Sequence, residues 1–154
     1  MTVPKATTVA TVEEELLGVR CYAERHGWAV SWDPETLRLT FDGTHPSDKR
    51  PLRVIAALDG YRALPPAWSF EDPGTGAACL PKPAPVLGQS SIFHDGCGIC
   101  APFNRCAYKQ HAGPHQDWGG PESWLNVRGH VQATTLAAMF AVIVGHLKAS
   151  PGIK

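Results

Sequence analysis

The 154-residue sequence predicts an α+β fold: a helix, an antiparallel meander, a long loop-rich segment and a closing helix. Three observations predict it. Val12, Leu16, Val19 and Ala23 recur at helical spacing, strand-like runs follow between Trp28 and Leu58, and Leu136, Phe140, Ile143 and Leu147 share one helical face near the end. The length suits one domain over residues 1–154, with its core between about 12 and 152.

The first helix is expected from about Val12 to His26. Thr11-Val12-Glu13-Glu14 has the form of a capping box, and Gly27 offers a stop. Trp28 to Trp32 alternates as a strand, and Asp33-Pro34-Glu35-Thr36 is a turn. Leu37, Leu39 and Phe41 then point one way and Arg38 and Thr40 the other. Asp42-Gly43 is expected to begin a loop, and Leu52 to Leu58 is a more continuous apolar strand. Prolines at 65, 66, 73, 81, 83 and 85 make Tyr61 to Gly88 an ordered loop, with room for a short strand near Trp68 to Phe70. Ser90 to Trp124 is largely loop. The last helix is expected from about Thr134 to Lys148, capped by Thr134 or Thr135 and ended by Ser150-Pro151-Gly152. No internal repeat is present.

Composition excludes several function classes. Lys plus Arg and Asp plus Glu each total 14, so no net field favours nucleic acid or an acidic membrane surface. The start of the chain lacks the pattern of a secretory signal, and the apolar stretch Leu136 to Leu147 is too short to span a bilayer. Five cysteines, an odd number, fit a reduced cytoplasmic setting better than a disulfide framework.

Most reactive side chains fall between His94 and Asp117, and three chemistries compete for them. His94, Cys97, Cys100 and Cys106 followed by His111 and His115 approach a zinc pattern, with a shorter separation between the pairs than finger-type sites use. Cys97-Gly98-Ile99-Cys100 has the Cys-x-x-Cys spacing of a dithiol redox pair, but Pro102 and Asn104 follow where a helix would be needed. A nucleophilic thiol needs access and donors for an oxyanion. Cys100 has a glycine-rich approach in Asp95-Gly96-Cys97-Gly98, with His94 and Asn104 nearby as candidate donors. Cys97 is then a resolving thiol, a lock on Cys100 or a plain neighbour. His111, His115 and Asp117 are candidates to assist an incoming lysine or to hold their loop against the thiol. Chemistry alone leaves these readings open.

The order of landmarks resembles that of ubiquitin-conjugating enzymes. Tyr61-Arg62-Ala63-Leu64-Pro65-Pro66 is similar to the family's proline turn, and Phe70 matches the apolar residue of the strand after it. Gly98-Ile99-Cys100 is similar to the active-site approach, and Trp124 and Thr134 to Leu147 to the Trp and central helix. The match runs from about Val12 to Gly152. Arg62 replaces the first proline, the His-Pro-Asn motif is absent, an insertion rich in His, Gly and Pro separates Cys100 from Trp124, and the family's C-terminal helices are missing.

The resemblance implies a ubiquitin-conjugating-enzyme-like fold with a truncated C-terminus, and cysteine-dependent protein conjugation without a cofactor or metal. Cys100 would take a protein C-terminus as a thioester and pass it to a lysine. His94 or Asn104 would stand in for the missing asparagine. The departures resemble those of bacterial stand-alone members from cyclic-oligonucleotide (CBASS) antiphage operons. There the cargo is the C-terminus of a cGAS-like nucleotidyltransferase. A second bacterial setting uses a ubiquitin-like protein and an activating enzyme. Neither nucleic acid nor membrane is an expected partner. An inactive scaffold of the same fold and a zinc-stabilised interaction module are the alternatives from other classes.

Overall fold

The computed structural model describes residues 3–84, 91–110, 118–129 and 131–154. Helix α1 (Lys5–Arg25) leads into strands β1 (Ala29–Asp33), β2 (Arg38–Thr44), β3 (Pro51–Ala57) and β4 (Ala67–Glu71). A two-stranded hairpin follows, β5 (Phe93–His94) and β6 (Gly98–Ile99). Then come a short helix α2 (Arg105–Gln110), a 3-10 helix (Pro121–Asn126) and helix α3 (Leu136–Ala149). The fold is α+β. The four-stranded sheet has the order β1-β2-β3-β4 with every pair antiparallel.

Helix α1 begins seven residues before the sequence suggests. Pro4 is the N-cap, and its carbonyl accepts from the N–H groups of Thr7 at 3.0 Å and Thr8 at 3.1 Å. Thr11 is not a cap: its hydroxyl donates back to Thr7 O at 2.9 Å within the helix. Tertiary contact carries the extra turns, because Thr8 is fully buried and donates to Tyr61 O at 3.3 Å. The C-terminus ends as expected at Gly27, whose φ of +79° is the left-handed cap conformation. Trp28 N–H reaches back to Ala23 O and Gly27 N–H to Glu24 O, which satisfies two end carbonyls.

The expected loop at Asp42-Gly43 is instead part of β2, which runs to Thr44. Gly43 lies under the Trp28 indole, where a Cβ would stand 2.5 Å from Cε3. The glycine admits the aromatic ring rather than breaking the strand. Leu37 sits in the β1–β2 turn at φ +56°, so the inward face starts at Leu39 and continues with Phe41.

Both long helices cover one face of the sheet. Leu39, Phe41, Val54, Ala56, Trp68 and Phe70 point inward and meet Val12, Val19 and Ala23 of α1 and Phe140, Ile143 and Leu147 of α3. Phe140 stacks on Phe41 at 3.9 Å between ring centroids and meets Trp28 edge-on. Burial of rings of this size dominates the stabilisation of the layer. The outer face carries an ion-pair ladder, with Arg53 2.7 Å from Asp42 and 3.0 Å from Glu71, its register neighbours on β2 and β4.

The turn after β3 joins the helices to the later segments. Glu15 of α1 accepts from the Tyr61 hydroxyl and from Leu136 N–H, each at 2.7 Å, so one carboxylate caps α3 and holds the turn. Trp124 Nε1 donates to Arg62 O at 3.1 Å, and Arg62 donates to Thr134 O at 3.0 Å. Thr135, one of the two expected caps, receives Ala138 N–H on its hydroxyl at 3.2 Å. No helix among the described residues is long and apolar enough to cross a membrane.

Candidate functional site

The site grows from the β5–β6 hairpin. Phe93 pairs with Ile99 and His94 with Gly98, and Gly96 and Gly98 take φ of +97° and +77° to turn the chain back. Phe93 anchors the hairpin by packing edge-to-face on Phe70 of β4 at 5.6 Å. Lys154 reaches Asp95 at the tip, 2.7 Å away and largely exposed. Cys97 lies at the tip and is buried, whereas Cys100, directly after β6, is partly exposed. Cys100 N–H donates to Ile92 O at 2.6 Å, which fixes the backbone at this point.

Cys97 and Cys100 are thiols joined by a side-chain hydrogen bond. That bond, then burial, then the charge Cys100 would carry, hold the Cys97 thiol far above its ordinary range, with Cys106 adding in the same direction.

Asn104 is the clearest departure from expectation. It is fully buried. Its Oδ1 accepts from Trp68 N–H at 2.9 Å and Cys106 N–H at 3.4 Å, and its Nδ2 donates to Ile99 O at 2.7 Å and Cys97 O at 3.4 Å. Every partner on the oxygen side is a donor and every partner on the nitrogen side an acceptor, so the orientation is unambiguous. Both amide hydrogens are committed, and none remains for an oxyanion. Asn104 is a brace between β4 and the hairpin, not the oxyanion donor the sequence suggested.

His94 is exposed on the hairpin and contacts Ser91 O through Nε2 at 2.8 Å. His111, His115 and Asp117 lie outside the described residues. Among the described residues no group of three or more His, Cys, Asp or Glu side chains is arranged to hold a metal ion. The Ala101 N–H, next in chain after Cys100, makes no hydrogen bond among the described residues.

Sequence reasoning missed the neighbourhood of Cys79 and undervalued Cys106. Both line a groove of about 310 Å³ beside Cys97, together with Gly96 and Gly98 of the hairpin and Trp68 to Phe70 of β4. Cys79 arrives there because the segment after β4 folds back, bridging Glu71 to Ala78, with Cys79 N–H bonded to Phe70 O at 3.2 Å. No spacing in the sequence signals that return.

Among the described residues another cluster has reactive residue types. His45 Nε2 lies 3.0 Å from Ser150 Oγ, with Asp48 nearby. Ser47 N–H donates to Nδ1 at 3.0 Å, so Nε2 carries the proton and donates to the serine, which in turn donates to Gly152 O. Both side chains are buried. A nucleophilic serine needs the opposite polarity, so this trio is a clasp between the β2–β3 loop and the end of α3.

No family model, curated protein or solved structure matches the chain.

Proposed function

We propose that this chain is a cysteine-dependent protein-conjugating enzyme of the ubiquitin-conjugating type, acting in the bacterial cytoplasm in antiphage defence. The Cys100 thiolate attacks the C-terminal carbonyl of a partner protein, a cGAS-like nucleotidyltransferase or a ubiquitin-like protein, presented as the thioester of an activating enzyme, and displaces that enzyme's thiolate. Cys100 carries the acyl group as a thioester and yields it to a lysine. The observation that carries the reading is the asymmetry of the thiol pair. Cys100 is the partly exposed member and so the one a partner's carbonyl can reach, whereas its neighbour Cys97 is buried and its thiol is held above the ordinary range.

Support also comes from the arrangement of landmarks: helix, meander, proline-containing turn, glycine-rich approach, buried Trp124 and closing helix follow in the order the resemblance implies. The thioester keeps most of the carbonyl's reactivity, so transfer to lysine needs chiefly positioning and loss of a proton. Expression with the neighbouring genes tests the reading. A thiol-labile adduct on the wild type that disappears in Cys100→Ala supports it, and its absence from every condition refutes it.

A second reading is a scaffold of the same fold without chemistry. The commitment of both Asn104 amide hydrogens favours it, because no side-chain amide is left to steady a tetrahedral intermediate. It predicts that Cys100→Ala preserves every phenotype.

A further inference from the structure

Cys97 and Cys100 stand side by side because of the turn between them. Gly98, at φ +77°, lets Ile99 N–H return to Cys97 O at 3.0 Å, a three-residue turn. Asn104 Nδ2 donates to Ile99 O at 2.7 Å and to Cys97 O at 3.4 Å, and Cys100 N–H donates to Ile92 O at 2.6 Å. The backbone on both sides of the pair is therefore fixed before any bond joins the sulfurs. Both residues are free thiols, and their side chains are hydrogen-bonded to each other. Cys79 and Cys106 line the same groove as Cys97, but that hydrogen bond selects Cys100 as its partner.

The two thiols differ in access. Cys97 is 5% exposed, whereas Cys100 is partly exposed. A small oxidant meets Cys100 first, and a sulfenic acid formed there has a second thiol beside it before oxidation goes further. A bridge between the two closes a loop of four residues, which restricts the unfolded chain little, so it is no structural staple. Bridges with an accessible sulfur are the ones that other thiols reopen.

We propose that Cys97 and Cys100 form a peroxide-sensitive, reversible disulfide site, in which Cys97 resolves an oxidised Cys100 and takes it out of use. The Cys100 thiolate attacks one peroxide oxygen, the O–O bond breaks, and hydroxide leaves a sulfenic acid behind. The Cys97 sulfur then attacks the Cys100 sulfur. The S–O bond breaks, and the departing hydroxide takes the Cys97 proton as water. Two electrons pass from the thiols to the peroxide. A dithiol reverses the change by exchange: it is oxidised to its own disulfide and both cysteines are thiols again. The bridge itself does not depend on what Cys100 does. Its consequence, a nucleophile silenced during oxidation and returned intact, rests on the conjugating reading.

The test uses the purified full chain, reduced and then exposed to hydrogen peroxide. Free thiols are blocked with iodoacetamide in urea. Trypsin and a protease that cuts before aspartate release Asp95–Arg105, which holds Cys97 and Cys100 and no other cysteine. In the wild type this peptide is expected unalkylated and two hydrogens lighter than its reduced form, and dithiothreitol should restore alkylation at both positions. In Cys97→Ala the same dose should carry Cys100 on to sulfinic acid, so that thiol recoverable at position 100 falls about tenfold against the wild type. Sulfinic acid at Cys100 of the wild type beside an alkylated Cys97, a peptide that stays fully alkylated, or a bridge from Cys97 to Cys79 or Cys106 overturns the proposal. The wild-type map decides the site whether or not the variant folds. A bridge in a protein that never carries a thiol-labile adduct sinks the conjugating reading and leaves the disulfide site standing. An adduct on the reduced protein with no bridge after peroxide does the reverse.

Discussion

The carboxamide oxygen of Asn104 lies 2.9 Å from the backbone nitrogen of Trp68, while its amide nitrogen lies 2.7 Å from the carbonyl oxygen of Ile99. One buried side chain thus replaces a rung between β4 and the strand that leads into Cys100. Removing it leaves backbone donors and acceptors unpaired in the core. Asn104→Ala is expected to cost about 2–4 kcal/mol, read as a lowered urea midpoint at constant slope. Unchanged stability with slower lysine transfer would instead return Asn104 to the role of oxyanion donor.

Cys97 and Cys100 should differ sharply towards an alkylating reagent. Iodoacetamide at neutral pH is expected to label Cys100 first and Cys97 only after unfolding, by peptide mass mapping. Cys97→Ala removes the hydrogen bond between the two thiols and should slow labelling at Cys100 about three- to tenfold, the effect of one hydrogen bond to a charged form. Equal labelling of the two thiols in the folded protein contradicts the asymmetry.

His45 makes stability depend on pH. Burial, with Lys49 adding and Asp48 opposing, holds its imidazole below the ordinary value of 6.5. The unfolded chain therefore binds a proton that the folded chain refuses. Stability is fully present above 6.5 and is lost as pH falls from there through the folded value. The Asp33 and Asp48 carboxyls are also held low, but their losses begin only near 3.8, so the two windows separate. Urea midpoints measured across mildly acidic pH should fall in the wild type and fall less in His45→Gln.

Glu15 joins α1, the turn after β3 and the start of α3. Burial, then the bond to Glu15, pushes the Tyr61 phenol well above its ordinary range, so it stays a donor at any working pH. Tyr61→Phe should cost about 1–2 kcal/mol. Glu15→Ala should cost more, since it also uncaps Leu136 N–H. In a double-mutant cycle the two changes should be non-additive, because they share one bond. Strict additivity would show that the contact contributes nothing.

The layer structure was legible because it rests on local periodicity. Leu39, Phe41 and the Phe140 face of α3 alternate or repeat as their elements demand, and all are buried. The start of α1 was not legible, because a local capping pattern at Thr11 competed with a tertiary anchor at Thr8 that no spacing reveals. Gly43 read as a loop because its reason, the Trp28 ring, comes from the link between α1 and β1, fifteen residues earlier. At the site, the Cys97–Cys100 pair was readable from its spacing and the hairpin glycines. The task of Asn104 was not, since its four partners come from β4, the hairpin and the start of α2. The placement of Cys79 depends on a loop that folds back, and sequence carries no signal for it.

Intact mass under non-reducing conditions, after expression with the neighbouring genes, shows whether Cys100 carries an acyl group. An adduct on the wild type that dithiothreitol removes is expected. On Cys100→Ser a thiol-resistant adduct of the same acyl mass should appear, mapped to position 100, and Cys100→Ala should show none. An adduct that persists in Cys100→Ala, or bare protein in all three with the partner genes present, contradicts acyl carriage by Cys100.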